Sequence, residues 1–265
     1  MNRGTTRYHL SRCHRRSTGQ ARCRQVARRR GLRIVRHAVS IAVDREAIND
    51  SLLSGLGYPN HVTWWDTKNP NWKSKWEYAF DPKKAGEELD GIGLKPANGV
   101  RFEMPIWSGP GLPGEVADAV AGSLSDIGIW VDVLKYPYSV WRPGIVSRTT
   151  NVPWLTECDD GYSSLPWDLP KGLVASSLTR GGFSCGFEAP AIAQAYLKMS
   201  QEPDLQKRIQ LSNELLSYIY DNNLITGVIV EPQVLTVNPK AAKSWEMRPT
   251  IIGAWTELYN AVPAR

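Results

Sequence analysis

Residues 100–136 read VRFEMPIWSGPGLPGEVADAVAGSLSDIGIWVDVLKY, and this stretch decides the fold class. Apolar and polar residues alternate in VRFEMPIW and again in WVDVLKY, which is typical of β-strands. Between the two runs, Val116, Val120 and Leu124 recur at helical spacing. A strand, a helix and a second strand form a βαβ unit, which places two parallel strands in one sheet. The stretch therefore predicts an α/β fold.

Further helices are predicted on both sides of this unit. The apolar residues of 35–53 recur at helical spacing, with Asp44 as the N-cap of a second helix. FDPKKAGEELDGIG, at residues 80–93, predicts a helix capped by Asp81. APAIAQAYLKMS (189–200) and PDLQKRIQLSNELLSYIYD (203–221) predict two amphipathic helices. The buried face of the last helix is predicted from four residues, Leu205, Ile209, Leu216 and Ile219.

The first 36 residues differ in charge from the rest of the chain. They contain twelve arginines, no lysine and no acidic residue, whereas the remaining 20 basic and 26 acidic residues give the body a net charge of about −6. A segment so poor in apolar residues cannot fold alone, so residues 1–34 are predicted to be a disordered basic arm. Three origins stay open: GC-rich DNA translated outside its normal frame, a transit peptide, and an arm that binds nucleic acid.

The turn at residues Gly109–Gly114 reads GPGLPG, which matches the G-x-G-x-x-G fingerprint of nucleotide-binding enzymes, and Asp132 follows 18 residues after Gly114. Two of its positions are prolines, which lack the N–H groups that hold a pyrophosphate. A Gly- and Pro-rich connector is therefore favoured, and a nucleotide-binding enzyme is kept as the alternative. The chain contains no G-x-S-x-G or H-E-x-x-H motif and no stretch of the roughly 18 apolar residues that cross a bilayer.

Tryptophan is frequent, with eleven residues in the chain, and many of these fall in loop-like stretches at 64–76 and 141–167. Aromatic side chains on loops suit stacking against sugar faces or apolar side chains of a ligand. They also serve to pin long loops to a core. Cys158 and Cys185 bracket a Gly- and Pro-containing segment, and a disulfide or two free thiols are both compatible with that arrangement.

Five segments of the body, taken in order, resemble motifs of the family 5 extracellular solute-binding proteins, the peptide- and oligopeptide-binding components of ABC importers. They are VRHAVSIAVDREAINDSLLSGLG, FDPKKAGEELDGIGL, EVADAVAGSLSDIGIWVDV, GFEAPAIAQAYLKM and EPDLQKRIQLSNELLSYIYDNN. The resemblance covers roughly residues 34–250. It implies the C-terminal lobe of a type II periplasmic-binding-protein fold, with a mixed sheet flanked by helices, and a first lobe that is absent from this chain.

The resemblance also implies a domain division and a function. Residues 35–235 would form the lobe, and residues 236–265 a tail that packs on the first lobe. The implied function is recognition of an oligopeptide or oligosaccharide in the periplasm or outside the cell, followed by delivery to an ABC permease. Neither catalysis nor a cofactor or metal is expected.

The resemblance places the ligand contacts in and around WLTECDDGY, at residues 154–162. In peptide-binding members an acid of this loop pairs with the amino terminus of the ligand, which here falls on Asp159 or Asp160. Where the family continues with an acid and a proline, this chain has Tyr162-Ser163-Ser164, so a sugar held on tryptophan platforms stays open. Some members join cysteines near positions 158 and 185. The full set of predicted ligand-binding residues is Asp159, Asp160, Trp154, Trp167, Trp141, Tyr162, Trp64 and Trp65.

Overall fold

The computed structural model describes residues 31–62, 67–146, 153–155, 190–232, 238–245 and 261–264. Its helices are α1 (31–42), α2 (Arg45–Leu53), α3 (Pro82–Gly91), α4 (Leu112–Ser125), α5 (Tyr138–Val146), α6 (Pro190–Gln201) and α7 (Leu205–Asp221). A short 3-10 turn covers Ser74–Trp76. Its strands are β1 (Tyr58–Pro59), β2 (Phe102–Ser108), β3 (Ile129–Lys135), β4 (Trp154–Leu155), β5 (Ile229–Val230), β6 (Ala242–Trp245) and β7 (Ala261–Pro263).

The predicted βαβ unit is confirmed and forms the centre of a three-stranded sheet. β2 and β3 run parallel, in register from Phe102 opposite Ile129 to Ser108 opposite Lys135. β4 joins the other side of β2, also parallel, and gives the order β3–β2–β4. Helix α4 packs on β2 and β3, so one face of the sheet lies against a helix as a parallel crossover requires. The remaining strands form two antiparallel pairs, β1 with β5 and β6 with β7.

The predicted helix starts are also confirmed. The Asp44 side chain accepts a hydrogen bond from the Ala47 amide at 3.0 Å, and that of Asp81 accepts one from the Lys84 amide at 2.8 Å. Each carboxylate thus satisfies an N–H group that has no partner within its helix. Helix α2 ends where Ser54 adopts a left-handed conformation, with φ of 51°.

Helix α1 crosses the predicted boundary between residues 34 and 35, and its arginines hold the end of another helix. Arg36 donates hydrogen bonds to the carbonyls of Asn222 and Asn223, at 3.0 and 2.8 Å, and Arg33 donates one to the carbonyl of Asp221 at 3.3 Å. These carbonyls lie at the C-terminus of α7, where the helix dipole favours a cation. The last arginines of the basic segment therefore have structural partners.

Two hydrophobic clusters make up the core. The first contains the predicted inner face of α4, and its buried residues are Ala38, Ile41, Ala42, Val43, Ile48, Tyr78, Ala85, Leu89, Val116, Val120, Leu124, Ile127 and Ile129. The second joins α6 and α7 to the segment before α3, and its buried residues are Val62, Trp76, Ile192, Met199, Leu215, Leu216 and Ile219. Burial of large apolar side chains on this scale is the main favourable contribution to folding.

One residue of the predicted buried face of α7 is exposed. Leu216 and Ile219 are buried as expected, whereas Leu205 has 46% of its surface exposed and Leu215 is buried instead. Leu205 is the first residue of α7, two turns before the buried stretch that begins at Ser212, so the stripe starts later than the periodicity indicates. The prediction for Leu205 was wrong because periodicity gives the phase of a buried stripe and not its length.

Candidate functional site

The carboxyl ends of the three parallel strands lie side by side and form one edge of the sheet. Ser108, at the end of β2, is in register with Lys135 of β3 and with Leu155 of β4. The Tyr136 amide donates to the Ser108 carbonyl at 2.8 Å, and the Trp107 amide donates to the Pro153 carbonyl at 3.0 Å. Loops that leave such an edge are where open α/β sheets bind their ligands.

Two aromatic side chains meet at this edge. The rings of Trp107 and Tyr136 contact each other edge to face, with their centroids 5.3 Å apart. Both are partly exposed, and neither was predicted as a site residue. The sequence signal was partial: Trp107 and Tyr136 end the two alternating runs of the predicted βαβ unit, but whether their rings touch depends on the register of the two strands. The carboxyl ends of parallel strands must lie at the same edge.

Two of the eight predicted ligand-binding residues fall on described backbone near this edge. Trp154 begins β4 and lies opposite Trp107, and Trp141 belongs to α5, which begins three residues after the last residue of β3. Asp159, Asp160, Tyr162, Trp167, Trp64 and Trp65 lie outside the described residues, as do Cys158 and Cys185. Their assignment remains a prediction.

The GPGLPG turn is closed on itself and does not support the nucleotide-binding alternative. The amides of Gly114 and Glu115 both donate to the carbonyl of Gly111, at 2.9 and 3.1 Å, and the two prolines have no N–H to offer. Asp132 is the fourth of seven residues in β3 and is exposed in mid-strand, so it does not lie at the carboxyl edge. A ribose-binding acid belongs at that edge.

The tryptophans of the 67–76 segment are structural. The buried side chain of Trp76 donates from Nε1 to the Ser217 hydroxyl at 3.2 Å, and the half-buried Trp72 donates from Nε1 to the Glu77 carboxylate at 2.9 Å. Of the two roles left open for the tryptophans of this segment, Trp76 has the structural one, since it is 1% exposed. Its indole fills the space between this segment and α7.

A cluster of aromatic and basic side chains lies between the two hydrophobic clusters. The Tyr78 ring stacks on that of Tyr220, with centroids 4.7 Å apart, and the Arg45 guanidinium lies 5.6 Å from the Tyr78 ring centroid. Burial lowers the pKa of Arg45 to about 10, and burial together with Arg45 lowers the pKa of His61 to about 4. Burial also raises the pKa of Tyr78, so its hydroxyl is neutral at physiological pH.

An open groove runs along the outer side of α7. It is lined by Lys73 and Lys75 and by a polar face of the helix that includes Gln210, Glu214 and the 39%-exposed Tyr218. Within the described part of the chain, no three His, Cys, Asp or Glu side chains come together as a metal site requires, and no helix is long and apolar enough to cross a membrane.

Comparison with known proteins gives the same fold at low sequence identity. The chain resembles an oligopeptide-binding protein of an ABC transporter from Thermotoga maritima, with a TM-score of 0.62 and 16% identity, covering 74% of this chain and 41% of that one. It also resembles AppA from Bacillus subtilis, solved with a nonapeptide, with a TM-score of 0.61 and 19% identity, covering 75% and 42% of the two chains.

A third solved structure holds a sugar. The chain matches MelB from Agrobacterium fabrum, in complex with stachyose, with a TM-score of 0.59 and 19% identity, covering 74% of this chain and 33% of that one. The chain thus spans about two fifths or less of the length of these proteins. No curated protein matches it. The expected α/β fold of the type II periplasmic binding proteins is confirmed.

A family model gives the assignment from sequence. Residues 33–162 match the model of the middle part of bacterial extracellular solute-binding proteins, family 5. The match includes most of α1, all of α2–α5, the parallel sheet and residues 156–162, which lie outside the described residues. The family model and the fold agree: residues 33–162, just under half of the chain, match the middle part of the bacterial extracellular solute-binding proteins of family 5.

Proposed function

We propose that this chain is a ligand-binding lobe of a solute-binding protein that captures an oligopeptide or an oligosaccharide outside the cytoplasmic membrane. The captured ligand would be passed to an ABC permease. In this proposal the lobe acts by recognition alone, without catalysis and without a cofactor.

The observation that carries the proposal is the aromatic carboxyl edge of the sheet. Trp107 and Tyr136 present a ring pair there, and such pairs suit both sugar faces and apolar side chains. The residues with the predicted acids follow β4 directly in the sequence, which supports looking for the ligand contacts near this edge.

The two ligand classes differ in what the acids would do. A carboxylate that faces a peptide amino terminus orients the ligand, although desolvation offsets much of the attraction. A neutral sugar has no positive charge for a carboxylate to attract, so its binding would depend on aromatic stacking. The fold accommodates both, since AppA was solved with a nonapeptide and MelB with stachyose.

Calorimetric titration of the full chain with a tripeptide and with a tetrasaccharide tests the proposal. For a peptide-binding protein, Asp159→Asn with Asp160→Asn should weaken tripeptide binding at least tenfold, whereas Trp107→Ala should weaken either ligand. The matched control is Glu103→Gln with Asp132→Asn, which removes two exposed carboxylates from the middle of the sheet.

Each outcome of this titration has a distinct meaning. Loss of tripeptide binding in the acid variant, with the control unchanged, supports an amino-terminal ion pair. Tetrasaccharide binding that survives the acid variant and is lost in Trp107→Ala identifies a sugar site. Binding of ATP or NAD with neither of these ligands would overturn the proposal in favour of the nucleotide-binding alternative, and binding of none of the ligands would contradict a usable site in this lobe.

A further inference from the structure

The imidazole of His61 lies where the two hydrophobic clusters meet. Val62, the next residue, is fully buried in the second cluster, and Tyr78 is buried in the first. The His61 ring lies 6.2 Å from the Trp72 ring and 6.3 Å from the Tyr78 ring, measured between centroids. Any change in the charge of this imidazole therefore acts on the junction of the two clusters.

The hydrogen bonding at His61 requires the neutral form of the ring. The Tyr78 amide donates to Nδ1 of His61 at 3.0 Å, so Nδ1 must carry a lone pair and the proton resides on Nε2. Protonation would place an N–H group on Nδ1, directly facing the Tyr78 N–H. Two donors cannot share one hydrogen bond, so the contact between residues 61 and 78 would have to open.

The charged neighbours oppose protonation as well. The buried guanidinium of Arg45 donates to the carbonyls of Asn60 and Gly227, at 2.9 and 3.0 Å, and it is the charged group that acts on His61. On the segment before α3, the Glu77 carboxylate is bonded to the Trp72 indole. On α7, burial raises the pKa of Tyr220, and Asp221 and the nearby Glu77 raise it further, so the Tyr220 hydroxyl is neutral in acid.

The backbone around His61 ties three parts of the fold together. The Gly227 amide donates to the His61 carbonyl at 3.1 Å, and the Asn60 amide donates to the Val228 carbonyl at 3.0 Å. These bonds extend the short pairing of β1 with β5, and β5 follows α7 in the chain. A displacement of residue 61 would consequently disturb the pairing of β1 with β5 and the packing of α7 on the rest of the fold.

We propose that His61 is an acid-sensitive latch, whose protonation breaks its bond to the Tyr78 amide and loosens the α6–α7 pair from the rest of the fold. The direction in which pH changes the stability follows from the difference in proton binding between the unfolded and the folded chain. The unfolded chain takes up this proton near pH 6.5, whereas the folded chain resists it until about pH 4. The contribution of neutral His61 to the free energy of unfolding is therefore complete above pH 6.5 and is lost progressively as the pH falls toward 4.

The test compares the full chain with two variants. His61→Asn cannot be protonated, and its side-chain oxygen can still accept from the Tyr78 amide. His37→Gln is the matched control, because His37 is the other histidine in the described residues and pairs with Glu88 at 2.7 Å. Between pH 7 and pH 5, urea unfolding should show the unfolding constant rising roughly twentyfold more in the wild type and in His37→Gln than in His61→Asn.

A second measurement keeps the test decisive if His61→Asn does not fold. In wild-type protein, NMR titration of the His61 ring and of the Tyr78 amide should show both signals changing together well below pH 6. His37→Gln serves to assign the ring signal. A His61 ring that titrates near pH 6.5, or a His61→Asn variant with the full pH dependence of the wild type, would overturn the latch.

Discussion

At the residue scale, Arg45 shows how a buried charge is retained by backbone carbonyls, with no acidic partner among the described residues. Its side chain is 4% exposed and donates from Nε to the carbonyls of Asn60 and Gly227. Nη1 donates to the carbonyls of Ser40 and Val43, at 2.9 and 3.2 Å. These carbonyls belong to α1, the turn before α2, the residue after β1 and the segment before β5. The planar guanidinium connects them because its donors point in several fixed directions.

Replacing Arg45 should lower the stability of the protein even though the described residues include no ion pair to this side chain. Arg45→Met would leave buried carbonyls unpaired and should lower the free energy of unfolding by about 3 kcal/mol. Arg45→Lys should recover only part of this, because an ammonium group cannot reproduce the fork of donors. Urea unfolding measures both. The control is Lys95→Met, which removes an exposed charge and should change stability by no more than about 0.5 kcal/mol. A similarly small effect at Arg45 would contradict the argument.

At the element scale, the start of α4 is fixed by its close approach to β2 and β3. A Cβ on Gly114 would lie 2.9 Å from the Gly109 carbonyl oxygen and 3.1 Å from Cδ of Lys135. The glycine of the GPGLPG turn that resembles a nucleotide fingerprint is thus explained by packing. Lys135 crosses this point to reach Asp118 on the next turn of α4, so the ion pair also holds the helix against the edge of β3.

Two glycines of α4 should respond to alanine in opposite directions. Gly114→Ala forces a methyl group against backbone and should destabilise the protein by about 1 to 3 kcal/mol. Gly122→Ala introduces a methyl group with nothing within 4 Å, so the gain in helix propensity should stabilise by about 0.5 to 1 kcal/mol. Thermal unfolding of the two variants measures both changes. Stability changes of equal size and the same sign in the two variants would show that close packing is not the reason for glycine at position 114.

At the scale of the whole molecule, the two hydrophobic clusters are coupled rather than independent. Tyr220 packs against both, and its ring stacks on Tyr78 of the first cluster. The Tyr220 hydroxyl also donates to the Glu77 carbonyl at 3.0 Å, and Arg36 links α1 to the residues after α7. These contacts join elements that are more than 140 residues apart in the chain.

This coupling predicts a single cooperative transition. Leu124→Ala in the first cluster and Leu216→Ala in the second each remove a fully buried side chain and should cost about 3 kcal/mol. Urea curves followed by far-ultraviolet circular dichroism and by tryptophan fluorescence should coincide in both variants at neutral pH. If the circular dichroism and fluorescence curves differ in Leu216→Ala alone, the α6–α7 pair unfolds independently of the rest.

The sequence by itself determined the elements whose signals are local. Asp44 and Asp81 begin their helices as predicted, because a capping bond is made within four residues. The alternation in residues 100–136 and the helical spacing between its two strands specified the βαβ unit, and the direction of its crossover follows from geometry common to all such units. The family resemblance rested on the order of these same local motifs.

The tertiary structure alone decided which residues meet across long stretches of chain. Trp76 could be assigned to the core only once Ser217 was placed beside its indole, and Arg45 needed the carbonyl of Gly227, 182 residues away, to acquire a role. Trp107 and Tyr136 became candidate ligand contacts when the register of β2 and β3 brought their rings together. The physical reason is the same in each case: burial and hydrogen bonding depend on neighbours in space, and periodicity along the chain specifies a face but not what covers it.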